Sequence, residues 1–188
     1  MKKLILSILF VLCLSFQASA LGPMMELIGG GVAANGEIGD SSAESGYGGA
    51  AINYYYFSGW TATTAGNVRY LRAWSGDGTG TGTACLTLWD SGGSPLGNCT
   101  VTYTTSARSW KHCDMGSAVT LDGVSTYYLS LSELTGDILI AYGQVATPTD
   151  YDNWGAINCG VDDGLTDDGD VGTNTIILHA DNINSATP

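Results

Sequence analysis

Residues Ala84 to Thr105 read ACLTLWDSGGSPLGNCTVTYTT, and this stretch decides the fold. Two strand-length runs, Ala84–Asp90 and Asn98–Thr105, flank the cluster Ser91-Gly92-Gly93-Ser94-Pro95. Glycine tolerates positive φ and proline fixes φ, so the cluster predicts a turn. Both runs alternate. Leu86 and Leu88 fall on one face of the first, with Cys85, Thr87 and Trp89 on the other. In the second, Cys99, Val101 and Tyr103 share a face against Asn98, Thr100 and Thr102. Period-two alternation on both sides of a turn marks strands with one face toward a core.

Outward from here the pattern repeats. Ala50–Ala62 (AAINYYYFSGWTA), Val68–Trp74 (VRYLRAW), Trp110–Met115, Val119–Leu121, Ser125–Leu131 (STYYLSL), Asp137–Tyr142 (DILIAY) and Thr175–Ala180 (TIILHA) are all strand-like. Tyr127, Leu129 and Leu131 alternate with Thr126, Tyr128 and Ser130. Helix signals are poor, and 27 glycines punctuate Thr-, Tyr- and Val-rich runs. Short strands spaced by about 10 to 12 residues predict a single all-β domain, an antiparallel sandwich or barrel.

The N-terminus reads differently. Lys2 and Lys3 precede an apolar run from Leu4 to Phe16, and Gln17-Ala18-Ser19-Ala20 ends in a small-x-small pattern. That is the layout of an export signal, residues 1–20, cleaved after Ala20. The run is too short to span about 30 Å of hydrocarbon as a helix. No later apolar run is long enough either, so no membrane span is expected in the mature chain. The expected location is secreted, extracellular or periplasmic. Residues 21–49 are rich in Gly, Ala and Ser and read as a loosely ordered arm, with room for one edge strand. A sharper reading makes the arm a self-assembly element that inserts into a neighbour. Residues 50–188 form the sandwich domain, with an acidic region toward the C-terminus.

Charge narrows the partners. The chain has 6 Lys+Arg against 18 Asp+Glu. Loss of Lys2 and Lys3 leaves 4 bases and a formal charge of −14. Such a surface repels nucleic acid and anionic lipid. Cys85, Cys99, Cys113 and Cys159 remain after Cys13 leaves, an even count that suits two disulfides in an exported chain. A hairpin of 98–105 with 110–115 would set Cys99 opposite Cys113, which favours Cys99–Cys113 and leaves Cys85–Cys159.

From Gly66 to Leu131 the order of elements resembles bacterial secreted β-sandwiches of the carbohydrate-binding-module type. These show a strand, an "LYD-x-x-G-x-x-L" hairpin, a strand opened by Trp, and a "G-x-x-YYL" strand. Leu88-Trp89-Asp90, Trp110 and Tyr127-Tyr128-Leu129 stand in the corresponding places. The resemblance covers about a third of the chain. It implies a jelly-roll sandwich and carries no catalytic residue with it.

Three kinds of site follow from residue chemistry. The segment Asp162–Asp170 (DDGLTDDGD) clusters Asp162, Asp163, Asp167, Asp168 and Asp170 with glycines. Hard cations want several such oxygens, so these residues are the expected ligands of a structural Ca2+, against the alternative of a solvated acidic loop. Trp154 stands beside Tyr151, Asp152 and Asn153, an apolar platform with hydrogen-bonding neighbours for a glycan, if it does not simply anchor its loop. Trp89 is a second platform candidate, whereas Trp60, Trp74, Trp110 and Tyr54 to Phe57 read as core or inter-strand packing. For catalysis, His112 and His179 lie in no nucleophile motif, and Glu133 with Asp137 is the pair a glycosidase reading would use.

The expected function is a non-catalytic secreted module binding a carbohydrate or other cell-surface ligand. A structural or adhesive subunit of an extracellular layer, and a small hydrolase, are the alternatives.

Overall fold

The computed structural model describes residues 35–42, 44–50, 54–62, 64–143, 149–153, 159, 171–172, 177–185 and 187–188, with backbone only at 54, 142, 149–153 and 171–172. The turn at the centre of the deciding stretch is tight. Asp90 Oδ1 accepts hydrogen bonds from the Gly92 and Ser94 amides at 2.8 and 2.9 Å. Gly93 adopts φ +80°, open to glycine without strain. The strands it joins are β5 (Gly82–Trp89) and β6 (Pro95–Tyr103), paired antiparallel.

This hairpin is the innermost of a nest. Before it come β1 (Ile38–Gly39), β2 (Gly46–Gly49), β3 (Tyr54–Thr61) and β4 (Gly66–Asp77). After it come β7 (Ser109–Leu121), β8 (Thr126–Thr135), β9 (Ile138–Tyr142), β10 (Thr149–Asn153), β11 (Val171–Gly172) and β12 (Leu178–Asp181). β4 pairs with β7, β3 with β8, and β2 with β9, all antiparallel. Folded over, the nest gives one sheet with β2-β9-β4-β7 in order and another with β3-β8-β5-β6. That winding is a jelly roll. β1 and β12 extend the first sheet, and β10 and β11 the second. Along one side of β4, β12 pairs with residues 70–73 and β9 with residues 75–77, end to end.

The alternation sets the core. Ala84, Leu86, Leu88, Val101, Tyr103, Leu129 and Leu131 of the second sheet face Val68, Leu71, Ala73, Ile138, Ile140 and Leu178 of the first, all buried. Full burial of a Leu or Ile is worth about 1.5–3 kcal/mol. Inside this layer Tyr103 shares a 2.6 Å hydrogen bond with Ser75, and burial pushes its phenol up to about 12.

Both disulfides clamp the innermost hairpin. Cys99 points inward and joins Cys113; Cys85 points outward and joins Cys159. The pairing agrees with expectation, but the expected hairpin of 98–105 with 110–115 does not form. β6 ends the second sheet and β7 lies on β4 of the first, so Cys99–Cys113 joins two sheet edges. On β7 the register slips between Val68 and Tyr70, leaving Met115 to Ala118 out of the ladder. A bulge on an edge strand blunts it against pairing with other chains.

Two expectations need correction. Strands β1 and β2 come from within 21–49, so the sandwich begins before residue 50. Residues 21–34 of the expected arm 21–49 lie outside the described residues. Thr149–Asn153, expected as loop, is strand β10 against β3, since Asp-rich composition does not prevent edge pairing once a neighbour supplies the ladder.

Candidate functional site

An aromatic strip lies on the outer face of the first sheet. On β4 the inward residues Leu71, Ala73 and Ser75 are buried, which turns Arg72 and Trp74 outward. Trp74 is directly opposite Trp110 on β7, and the partly exposed rings meet edge to face at 5.7 Å. The Trp74 indole donates a 2.7 Å hydrogen bond to Glu44 Oε2, and Arg108 Nε donates at 2.8 Å to Glu44 Oε1. The Arg108 guanidinium lies 3.8 Å from the centre of the Tyr47 ring, and Tyr47 is 56% exposed.

Local geometry explains this gathering. A Cβ at Gly76 would lie 2.7 Å from the Ser106 carbonyl oxygen, so only glycine lets the 106–108 loop settle on β4. That loop carries Arg108 to β2. The hydrogen bond from Arg108, with a second from Trp74, holds the Glu44 carboxyl below its ordinary range. The result is a row of aromatic surface edged by one fixed cation–carboxylate pair.

The sites expected from sequence fall elsewhere. Trp89 is 1% exposed, donates from its indole to Ser130 Oγ at 2.8 Å and meets Tyr55 edge to face at 5.2 Å. Its faces are taken up by packing, so it is no platform. Tyr151, Asp152 and Asn153 lie in β10, and Trp154 is outside the described residues. So are Asp162, Asp163, Asp167, Asp168 and Asp170. Among the described residues no cluster of three His, Cys, Asp or Glu side chains is arranged to hold a metal.

Of the two carboxylates considered for catalysis, Glu133 is buried and Asp137 is exposed. Glu133 Oε2 accepts from the Ile138 amide at 3.1 Å, and burial raises its pKa against that bond. Asp77 is buried, yet bonds from Thr79, Asp137 and Thr81 outweigh burial and hold its pKa low. Both brace turns at one end of the sandwich. His179 is buried beside Asp181, whose Oδ1 lies 2.6 Å from Arg72 Nη1. Arg72 also donates to the Ser185 and Ile183 carbonyls, holding the C-terminal segment. His112 is exposed opposite Arg72.

From the sequence, Trp74 and Trp110 read as packing residues. They do pack on each other, but outside. The signal was present in Tyr70, Arg72 and Trp74 alternating with Leu71 and Ala73, since the charged residue marks the outer face.

The two disulfides fit an oxidising compartment. No helix among the described residues is long and apolar enough to cross a membrane. No protein-family model matches the chain, and no curated protein matches it.

Proposed function

We propose that this chain is an exported, non-catalytic jelly-roll module that binds a neutral glycan on the outer face of its first sheet. The observation that carries the reading is the cross-strand pair Trp74–Trp110, partly exposed beside Tyr47, Arg108 and Glu44. Sugar rings present C–H faces that stack on aromatic surface, and their hydroxyls need nearby donors and acceptors. A formal charge of −12 on the whole chain disfavours anionic polymers. Export rests on the pattern of residues 1–20 and agrees with the disulfides. A structural calcium at Asp162–Asp170 belongs to the same reading, and should raise the thermal midpoint when added.

The test is a glycan array on residues 21–188, with calcium and with chelator, repeated with Trp110→Ala and Trp154→Ala. Loss of a hit in Trp110→Ala alone supports the strip. Loss in Trp154→Ala alone moves the site to Trp154 and its neighbours Tyr151, Asp152 and Asn153. A blank array with folded protein overturns glycan binding and favours the structural subunit.

A further inference from the structure

A cleft of about 400 Å³ opens on the far edge of the first sheet from β7, where β1 nears the end of β3. Its lining is Glu37, Ile38, Gly39, Trp60, Thr61 and Thr64. We propose that this cleft binds a small organic cation, an ammonium group carried on carbon, between the Trp60 ring and the Glu37 carboxylate. This site is separate from the aromatic strip and does not depend on glycan binding.

Three observations converge. First, among the described residues the lining carries one formal charge, the Glu37 carboxylate, and no Lys or Arg. Glu37 is 72% exposed, and the contact it makes is to His179 Nε2 at 3.9 Å. Burial holds the His179 imidazole below its ordinary value, against the pull of Asp181 and Glu37, so at neutral pH it does not cancel the Glu37 charge. Second, Trp60 supplies the best aromatic face for a cation, and carbon substituents on the ammonium lower the cost of leaving water. Third, the basic residues left once Lys2 and Lys3 leave with the signal are Arg69, Arg72, Arg108 and Lys111, on β4, β7 and the loop before β7. Arg72, opposite His179, is paired with Asp181 at 2.6 Å and so does not neutralise the Glu37 carboxylate. Inorganic cations hold their water more tightly and want more oxygens than one carboxylate and two hydroxyls provide.

The backbone holds the geometry open. Gly39 sits at φ +115°, and a Cβ there would lie 2.2 Å from the Leu178 carbonyl oxygen. Glycine thus lets β1 lie flat on β12 with Ile38 opposite Ala180 and Gly39 opposite His179. No side chain at residue 39 fills the mouth.

The experiment titrates tetramethylammonium into the folded chain and follows the Trp60 indole N–H resonance by NMR, with tert-butanol as the neutral probe of the same shape and glucose as a neutral polyol. A saturable shift is expected, with tetramethylammonium about tenfold tighter than tert-butanol. Glu37→Gln changes an exposed side chain and keeps the fold, and should weaken the cation about fivefold or more while leaving tert-butanol unchanged. Equal response to tert-butanol, an unaltered titration in Glu37→Gln, or no saturable shift would each overturn the proposal. Glucose binding more tightly than the cation would make the cleft a sugar site instead.

Discussion

The two sheets use the same alternation, but their outer faces are covered to different extents. Outside the second sheet, Tyr55, Phe57, Cys85, Thr87, Trp89, Ser130 and Ser132 are all buried. Outside the first, Arg72, His179 and Asp181 are buried under the C-terminal segment, but Trp74 and Trp110 are partly exposed and Tyr47 is mostly exposed. Cys159 reaches Cys85 on the outer face of the second sheet, with its sulfur 3.5 Å from Asn98 Oδ1. Alternation tells which side of a strand a residue occupies. It does not tell whether anything covers that side, and so a tryptophan facing away from the core is a packing residue on one sheet and a surface residue on the other.

The largest test of this contrast is a pair of truncations. Trp89→Ala should cost about 3–5 kcal/mol, because it empties a fully buried site and leaves Ser130 Oγ without its indole donor. Trp110→Ala should cost about 1 kcal/mol or less, the value of one exposed cross-strand contact. Chemical denaturation of the oxidised proteins measures both. Equal costs would mean that the first sheet's outer face is also covered, and would remove the strip as a binding surface.

The disulfides give the next contrast, since they leave opposite faces of one hairpin. Cys85–Cys159 closes a separation of 74 residues and Cys99–Cys113 one of 14. If chain entropy of the unfolded state dominates, replacing the first pair by serine should cost about 1.5 kcal/mol more than replacing the second. Denaturation midpoints of the two double variants decide it. A smaller cost for the first pair would mean that the cover over the second sheet stays in place without its covalent link.

Much of the fold was legible. The turn Ser91–Pro95 and the inward sets Leu86/Leu88, Cys99/Val101/Tyr103 and Tyr127/Leu129/Leu131 stand where alternation put them, and the disulfide pairs are as expected although the hairpin that suggested them does not form. These runs are long enough for period two to show against background. β1 and β11, at two residues each, are too short to carry a period, and β2 is three-quarters glycine. They pair because a neighbour's edge is already in place. Trp89 and Trp110 could not be told apart for another reason. Burial of an outer face is a property of what crosses it from far along the chain, and Cys85–Cys159 shows how far that can be. The strip itself depends on Gly76 admitting the 106–108 loop, a contact 30 or more residues from its target that no local pattern encodes.

The smallest effects lie in pH dependence, where an outer-face carboxylate and an interior one should act with opposite sign. Glu44 is held below its ordinary pKa by Arg108 and Trp74. Its contribution is therefore present above the ordinary carboxylate range and is lost as pH falls through the lowered value. As a partly exposed ion pair it is worth no more than about 1 kcal/mol. Glu133 is raised by burial, so its contribution is present at low pH and is lost as pH rises through the raised value. Glu44→Gln should thus reduce stability at pH 7 and leave it unchanged near pH 3. Glu133→Gln should raise stability at pH 7, because the Ile138 amide keeps an acceptor while the buried charge is gone. Thermal midpoints of both variants from pH 3 to 7 measure the signs. A destabilised Glu133→Gln at pH 7 would mean that the ionised carboxylate, through its backbone bond, holds the turn between β8 and β9 more strongly than burial opposes it.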